Sequence, residues 1–494
     1  MTELSIPFDN TYARLPERFF IRQKPKPVDH PKLIRLNEHL CLTLGISPVS
    51  LSSSYGEKMF AGNLVPLGAD PIALAYAGHQ FGGWAPQLGD GRAVLMGEIV
   101  GIDGIRRDIQ LKGSGQTPFS RGGDGRAALG PVLREYLVSE AMHALGVPTT
   151  RTLAAATTGE DVMRDRRFPG AILTRVAESH VRVGTFEYFS ARQDQDAIKI
   201  LADYVIDRLY PDARSCVNPY SALLSAVVLR QAKLVAKWFG VGFIHGVMNT
   251  DNTSIAGETI DYGPCAFMDI YNPQQVFSSI DHNGRYAFDN QASISQWNLV
   301  QFAQCLLPLI DVDIKKAITV AEEKIDLYPN QFKASLSAVM CSKLGLTTVG
   351  NNDLSLGMDL LECMADGGAD FTNTFRHLAN TIDIDQNDNS DVREQFSNPV
   401  AFDQWYVRWL ARLDAEKCPQ NAVATIMREA NPAVIPRNHL VEAAIRSAED
   451  NDDFTSFNSL LDEVLQPFKS RQPGSYFVRP PSPNEVVHHT FCGT

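Results

Sequence analysis

One segment, residues 243–263, constrains this chain more than any other part of the sequence. It reads Phe-Ile-His-Gly-Val-Met-Asn-Thr-Asp-Asn, then Thr-Ser-Ile, a turn at Ala-Gly-Glu, and Thr-Ile-Asp-Tyr-Gly. The two short β-prone runs on either side of Gly257 predict a hairpin, which places Asn252 and Asp261 together at its open end. An amide oxygen and a carboxylate are hard donors that suit a magnesium ion held with nucleotide phosphates. The segment therefore predicts Asn252 and Asp261 as metal ligands, although an isolated Asp-Asn pair is more often a turn.

A lysine and a glutamate upstream of this segment form a second constellation. Lys112 ends the strand-like run at residues 108–112, and Glu135 lies in a helix predicted over residues 131–145. Protein kinases hold the lysine that binds nucleotide phosphates in this order, by pairing it with a helical glutamate. The alternative interpretation is a surface salt bridge worth roughly 0 to 1 kcal/mol.

The 243–263 segment departs from a kinase at one position. Aminoglycoside-type kinases carry His-Gly-Asp with Asn five residues after that Asp, whereas here Val247 occupies the Asp position and Asn252 is retained. The usual catalytic base is therefore missing, and Asp251 is the available carboxylate in a different geometry. The sequence predicts a kinase-like nucleotide site whose reaction differs from ordinary γ-phosphoryl transfer.

Glycine-rich turns supply further candidate phosphate contacts. Gly89, Gly91 and Arg92 form a turn that runs into a strand, where glycine lets a phosphate approach the backbone and arginine adds a planar charged fork. An ordinary hairpin uses Asp-Gly in the same way. The later turn that contains Asp124 and Gly125 is interpreted as a mobile phosphate-facing loop or simply a linker. Neither a P-loop nor a Rossmann fingerprint is present.

Two arginines, Arg175 and Arg182, follow in strand-like surroundings. Solvated side chains are the ordinary interpretation. In a net acidic chain that must hold a triphosphate, positive groups near Lys112 become plausible phosphate clamps.

Charge and segment composition exclude several classes of protein. Lys and Arg total 45 against 57 Asp and Glu, so the net charge of −12 has the wrong sign for non-specific nucleic-acid binding. The most apolar long stretch, residues 222–248, is interrupted by three basic residues, which argues against a membrane span. The N-terminus lacks a basic region followed by an apolar run, and the scattered cysteines form no CxxC pair. We expect a cytoplasmic protein without nucleic-acid or membrane partners.

Taken together, these residues resemble the selenoprotein O family, known in bacteria as YdiU, of protein nucleotidyltransferases with a pseudokinase-like fold. The motifs that carry the resemblance extend over nearly the whole chain. They are residues 76–84, 89–92, 111–121, 124–127, 245–252, 261–264, 284–291 and 431–438. The resemblance implies transfer of AMP from ATP to Ser, Thr or Tyr hydroxyls of protein substrates. It also implies UMP transfer from UTP, especially with manganese, and a nucleotide that is flipped relative to a kinase.

The resemblance also implies roles for individual residues. Asp251 is implied as the proton acceptor, and Asn252 and Asp261 as ligands of Mg²⁺ or Mn²⁺. The implied nucleotide-binding residues are Gly89, Gly91, Arg92, Lys112, Asp124, Gly125, Arg175 and Arg182. Glu135 is implied as the partner of Lys112, and Asp261 is implied to contact the nucleotide through the metal. Cys492 falls where some relatives carry selenocysteine. Residues 271–281 contain no cysteine that could pair with it, so an exposed tail thiol is the alternative.

The expected fold is α+β, a protein-kinase-like two-lobed core with a mostly helical C-terminal extension. We expect an N-terminal lobe over residues 1–180, a C-terminal lobe with the metal and catalytic residues over 181–310, and a helical region with a flexible tail over 311–494. A monomer is expected.

Three alternative functions stay open from the sequence. One is an atypical kinase that transfers the γ-phosphate, and another is a catalytically inactive ATP-binding sensor. The third is a calcium-binding scaffold, because residues 383–394 place oxygen donors at EF-hand positions but put Asp388 where glycine is needed.

Overall fold

An antiparallel sheet of eight strands lies in the first part of the chain. The structure is a computed structural model that describes residues 6–382, 390–472 and 474–491. The strand order is β1-β3-β6-β7-β10-β9-β2, with β8 beside β10. Two short antiparallel pairs, β4–β5 and β11–β12, lie outside this sheet. In chain order the strands are β1 (Phe20–Arg22), β2 (Lys32–Leu36), β3 (Ile72–Leu74), β4 (Gly78–Gln80), β5 (Gly83–Ala85), β6 (Ala93–Val100), β7 (Arg106–Lys112), β8 (Ala127–Ala128), β9 (Arg151–Met163), β10 (Arg167–Ala177), β11 (Phe243–Ile244) and β12 (Ala266–Phe267).

Helices account for most of the remaining chain. They are α1 (Glu38–Thr43), α2 (Pro48–Leu51), α3 (Ser54–Phe60), α4 (Leu129–Ala144), α5 (Val183–Ser190), α6 (Gln195–Leu209), α7 (Pro219–Val241), α8 (Gln291–Ile310), α9 (Ile314–Ile325), α10 (Leu327–Lys343), α11 (Asp353–Gly367), α12 (Phe371–Leu378), α13 (Ser390–Arg393), α14 (Val400–Glu416), α15 (Gln420–Ala430), α16 (Asn438–Asn451) and α17 (Thr455–Val464). The predicted combination of helices and strands, α+β, is confirmed.

The central strands are buried on both faces, which explains why β6 is apolar at nearly every position rather than alternating. One face packs against α1, α2 and α3. The other face packs against α4, and α16 and α17 cover the outer side of α4. The far C-terminal helices therefore return to the sheet layer and hold the helix that carries Glu135.

Helix α4 begins two residues before the predicted start at residue 131. Its N-cap residue, Ala128, offers no side-chain oxygen. The backbone N–H of Gly130 instead donates to the carboxylate of Glu449, from α16, at 3.1 Å. Because this acceptor lies 319 residues away in sequence, local capping rules cannot detect it.

The predicted hairpin around Gly257 is wrong. Ser254 pairs with Arg182 in an antiparallel bridge, whereas Thr259 pairs with Thr149 in a parallel bridge. The two runs therefore bond to neighbouring segments and not to each other. Asp261, two residues after Thr259, nevertheless lies within hydrogen-bond distance of Lys112 at the end of β7.

Among the described residues, no helix combines the length and the apolar character that crossing a membrane requires. Cys492 and residues 383–389 of the acidic loop lie outside the described residues.

Candidate functional site

A buried ion pair joins the sheet to α4. Strand β7 ends at Lys112, and its Nζ donates to Oε2 of Glu135 at 2.7 Å. Only 12% of the Lys112 side chain and 5% of the Glu135 side chain are exposed. With so little solvent around it, this ion pair is not the surface salt bridge that the sequence left as the alternative, and the attraction between its two charges is screened much less.

Asp261 lies at the centre of three cations. Lys112 Nζ donates to its Oδ1 at 2.8 Å, Arg175 Nη2 donates to the same oxygen at 2.6 Å, and Arg182 Nη1 donates to Oδ2 at 2.9 Å. Arg175 also donates from Nε to Glu135 Oε1 at 2.9 Å. The structure thus joins five predicted residues in one network, in which the cations outnumber the carboxylates by one.

The charges of this network fix the protonation of its members. Burial opposes ionisation of Asp261, but Arg175, Lys112 and Arg182 outweigh it and hold the pKa of Asp261 well below its usual value. Burial likewise opposes ionisation of Glu135, and the charges of Arg175 and Lys112 lower its pKa. Both carboxylates are therefore ionised at neutral pH, and the excess positive charge is available to an anion.

The backbone of Asp261 is in the left-handed region, with φ of 64°. A non-glycine residue in this conformation costs on the order of 1 kcal/mol or more. The three ion pairs to its carboxylate offset that cost, so Asp261 keeps the left-handed conformation in which it contacts all three cations.

Arg182 connects this network to the proposed proton acceptor. Its Nη1 donates to the backbone oxygen of Asp251 at 2.8 Å as well as to Asp261. Its guanidinium carbon lies 4.6 Å from the centre of the Tyr76 ring, and its Nε is buried without a hydrogen-bond partner in the described part of the chain. A guanidinium held in this way spans the distance between the two aspartates.

The side chain of Asp251 is buried beneath the β4–β5 hairpin. Gln80 Nε2 donates to Asp251 Oδ2 at 3.2 Å, while Oδ1 has no hydrogen-bond partner among the described residues. Burial raises the pKa of Asp251 to about 7. A carboxylate with one free, buried oxygen and this affinity for a proton is suited to act as a general base near neutral pH.

Asn252 follows in the same short 3-10 helix, residues 250–252. Its Nδ2 donates to the backbone oxygen of Val247 at 2.9 Å. This bond orients the amide and leaves Oδ1 without a hydrogen bond in the described ranges. The backbone carbonyl of Val247 thus holds the amide in place.

Gly89 and Gly91 are packed tightly against the loop at residues 117–120. A methyl group on Gly89 would lie 2.4 Å from the ring of Phe119, and one on Gly91 would lie 2.8 Å from the backbone oxygen of Phe119. Glycine is therefore required there by packing. Arg92, which precedes β6, forms no ion pair within the described residues, and its backbone oxygen accepts from Gly113 N at 2.7 Å.

Asp124 and Gly125 lie on a loop above the end of β7. The Asp124 carboxylate accepts from Arg164 Nη1 at 2.8 Å and from the backbone N–H of Arg126 at 2.9 Å. Gly125 has φ of 69°, and a methyl group there would lie 2.2 Å from the backbone of Gly115. Among the described residues, no hydrogen bond or ion pair joins these two residues to the Asp261 network, so their assignment to the nucleotide stays a prediction.

The sequence did not assign a role to the residues around Asp251. Gln80 belongs to the 76–84 motif, which carries part of the family resemblance but predicts no role for this side chain. Glu187 and Asn249, which contact the same hairpin, were not singled out. The one local sequence signal for this contact region is the polar pair His79-Gln80, which lies between Gly78 and Gly82.

Comparisons with known proteins agree over the whole chain. A family model described as "Protein adenylyltransferase SelO" matches residues 2–465. A protein of Rhodopseudomonas palustris (strain HaA2), named "Protein nucleotidyltransferase YdiU", is 56% identical over 488 residues, 99% of each chain. Proteins with the same name from Bradyrhizobium sp. (strain BTAi1) and Methylorubrum populi are 56% and 54% identical, over 99% and 100% of each chain respectively.

Proposed function

Because the chain belongs to the SelO family of protein adenylyltransferases and is a protein nucleotidyltransferase, we propose that it transfers AMP from ATP, or UMP from UTP, to Ser, Thr or Tyr hydroxyls of proteins. Pyrophosphate is released, and the reaction depends on Mg²⁺ or Mn²⁺. The observation that carries this proposal is the Asp261 network, which contains one more cation than carboxylates. Arg182 of this network donates to the backbone oxygen of Asp251, and the Oδ1 atom of Asp251 has no hydrogen-bond partner among the described residues.

The nucleotide phosphates bind where the cations converge. Lys112, Arg175 and Arg182 now direct their donors at Asp261, and a triphosphate offers the same donors a larger negative charge. Arg92, which has no ion pair among the described residues, adds a further donor beside β7. The pairing of Lys112 with Glu135 supports a kinase-like arrangement of lobes over residues 1–180 and 181–310, which we also propose.

The donor set fits a hard divalent cation. Asn252 contributes an amide oxygen that has no hydrogen bond in the described ranges, and Asp261 contributes a carboxylate that its neighbours keep ionised. When bound, Mg²⁺ or Mn²⁺ supplies charge neutralisation at the phosphates. Because Asp261 is surrounded by three cations in the free protein, its carboxylate becomes available only when those cations turn to the phosphates.

The residues of the site have separate roles in the transfer reaction. The acceptor oxygen attacks the α-phosphorus, and the bond from that phosphorus to the bridging oxygen breaks to release pyrophosphate. Asp251 Oδ1 takes the hydroxyl proton. Lys112, Arg175 and Arg182 neutralise the negative charge that develops on the departing pyrophosphate.

The alternative of an atypical kinase would move the γ-phosphate. Val247 disfavours it, since this side chain occupies the position of the kinase base and cannot accept a proton. Labelled nucleotides distinguish transfer of AMP from transfer of the γ-phosphate. We expect label in protein from α-labelled ATP and none from γ-labelled ATP, and intact mass spectrometry identifies AMP or UMP adducts. Label from γ-labelled ATP alone would refute the proposal.

We also propose that the protein acts as a cytoplasmic monomer on protein substrates. Its net charge of −12 supports a preference for proteins over nucleic acids as partners. Light scattering coupled to size-exclusion chromatography tests the oligomeric state.

A further inference from the structure

We propose that the 78–85 hairpin orients Asp251 for proton transfer, with Gln80 as the positioning residue. This inference rests on the proposed function, because it takes Asp251 as the proton acceptor. Gln80 acts through Asp251 and has no role of its own in the bond-making step.

The two oxygens of Asp251 have different surroundings, and the hairpin causes the difference. Gln80 donates to Oδ2 at 3.2 Å, so that oxygen is engaged. Oδ1 is buried and has no partner among the described residues. A carboxylate that is free to rotate would exchange its two oxygens, whereas a donor fixed on one of them keeps the other aimed at the acceptor.

Gly78 sets how closely the hairpin approaches this carboxylate. A methyl group on Gly78 would lie 2.7 Å from Oδ1 and 2.9 Å from Cβ of Asp251. Those distances are below van der Waals contact, so only glycine lets the strand lie against the side chain. The backbone of β4 thus forms one wall around the free oxygen.

Polar contacts fasten the hairpin to the segment that carries Asp251. His79 N donates to Thr250 Oγ1 at 2.7 Å, and His79 Nδ1 lies 2.6 Å from Glu187 Oε1. Thr250 Oγ1 in turn donates to the other oxygen of Glu187. Phe81 N donates to Asn249 Oδ1 at 3.1 Å. The two residues immediately before Asp251 are therefore held by the residues on either side of Gln80.

Gln80 contributes little to the hydrophobic core of the protein. The strands of the hairpin have three residues each, and Gly82 at its turn and Gly83 and Trp84 at the start of β5 are exposed. Gln80 is half-buried and belongs to none of the hydrophobic clusters. Replacing Gln80 should therefore change the carboxylate that it contacts much more than the stability of the protein.

The first test replaces Gln80 in the full-length protein. Gln80→Leu removes the donor at similar volume, and transfer from α-labelled ATP is measured at saturating acceptor. Since a general base contributes roughly 10²- to 10⁴-fold, we expect kcat to fall about 10- to 100-fold. The KM for ATP and the melting temperature stay within experimental error of wild type. An unchanged kcat, or a rise in KM with kcat retained, overturns the inference.

A matched pair of glycine substitutions separates this role from general damage to the hairpin. Gly78→Ala pushes against Asp251, whereas a methyl group on Gly83 would meet only the backbone oxygen of Gln80, at 3.4 Å. We expect Gly78→Ala to lower kcat at least tenfold and Gly83→Ala to leave it unchanged. Equal losses in both variants overturn the inference.

A double-mutant cycle shows whether the hairpin acts through Asp251. In an Asp251→Asn background, Gln80→Leu should cause no further loss of transfer, because the group that it positions is already disabled. Losses that multiply contradict the inference. A wild-type protein that transfers nothing from α-labelled ATP refutes the proposed function itself, so the two failures are distinguished before any variant is compared.

Discussion

Replacing Asp261 with asparagine tests the central network most directly. Asp261→Asn removes one negative charge and replaces one of the two accepting oxygens with an NH2 donor, while it keeps the size of the side chain and one accepting oxygen. Lys112 and Arg175 then keep only the carboxylate of Glu135, and Arg182 loses its one ion-pair partner among the described residues, in a site where Arg175 is 2% exposed. Removing one partner from a buried ion pair costs about 3 to 5 kcal/mol. The retained hydrogen bonds favour the lower value, so we expect the protein to lose about 3 kcal/mol of stability.

The expected loss of stability in Asp261→Asn depends on whether a nucleotide is bound at the site. A triphosphate without metal provides the negative charge that the variant lacks, so ATP in the presence of a chelator should stabilise Asp261→Asn more than it stabilises wild type. Metal-dependent transfer should nevertheless be abolished, because the carboxylate ligand is gone. Chemical denaturation with and without ATP, together with transfer from α-labelled ATP, measures both effects.

A surface aspartate provides the control. Asp203 also pairs with two cations, Lys199 and Arg214, but the side chains of both partners are about half exposed. Asp203→Asn should therefore cost at most about 1 kcal/mol and leave transfer unchanged. Equal stability of Asp261→Asn and wild type, or retained transfer in that variant, would refute the reasoning that Asp261 gathers the cations and then the metal.

Three further substitutions test neighbouring parts of the argument. Lys112→Ala should lower kcat/KM for ATP at least 100-fold, because it removes a phosphate donor and takes one cation away from both Glu135 and Asp261; near wild-type kinetics would contradict this. Glu135→Gln should reduce kcat/KM for ATP less, since Asp261 still holds Lys112, and a loss as large as that of Lys112→Ala would contradict it. Lys343→Met should raise the free energy of unfolding at pH 6.5, because burial lowers the pKa of Lys343 from 10.5 to about 7 and protonation therefore costs the folded state. Between these two pKa values the unfolded chain binds more protons than the folded protein, so the stability of the wild type rises with pH. Denaturation measurements should therefore show that the stability gained by Lys343→Met shrinks by about 3 kcal/mol between pH 6.5 and 9.

Several elements could be predicted from local sequence because their signals are local. Helix α6 begins after Asp194, whose side chain accepts from Ala197 N, and α7 begins after Asn218, whose side chain accepts from Ser221 N. Gly242, with φ of 67°, ends α7. A cap and an apolar period lie within a few residues of each other, so they can be read without knowing the fold.

The hairpin predicted around Gly257 shows where local reasoning fails. The runs on either side of that glycine have strand-like composition, yet their backbone groups form hydrogen bonds with residues 181–183 and 148–150. Strand propensity indicates that a segment will pair and does not choose its partner. The partner depends on which other backbone lies next to it in the folded protein.

By itself, the sequence determined the residue types of the site: a lysine at the end of a strand, a glutamate on a helix, two arginines, and an Asp-Asn pair followed by Asp261. The tertiary structure decided which of them meet. It placed three cations on one carboxylate, supplied the N-terminus of α4 with a carboxylate from α16, and laid Gln80 against Asp251. The physical reason is range: helical periods and caps act over a few residues, whereas charge pairing and desolvation depend on distances in space that only the folded chain sets.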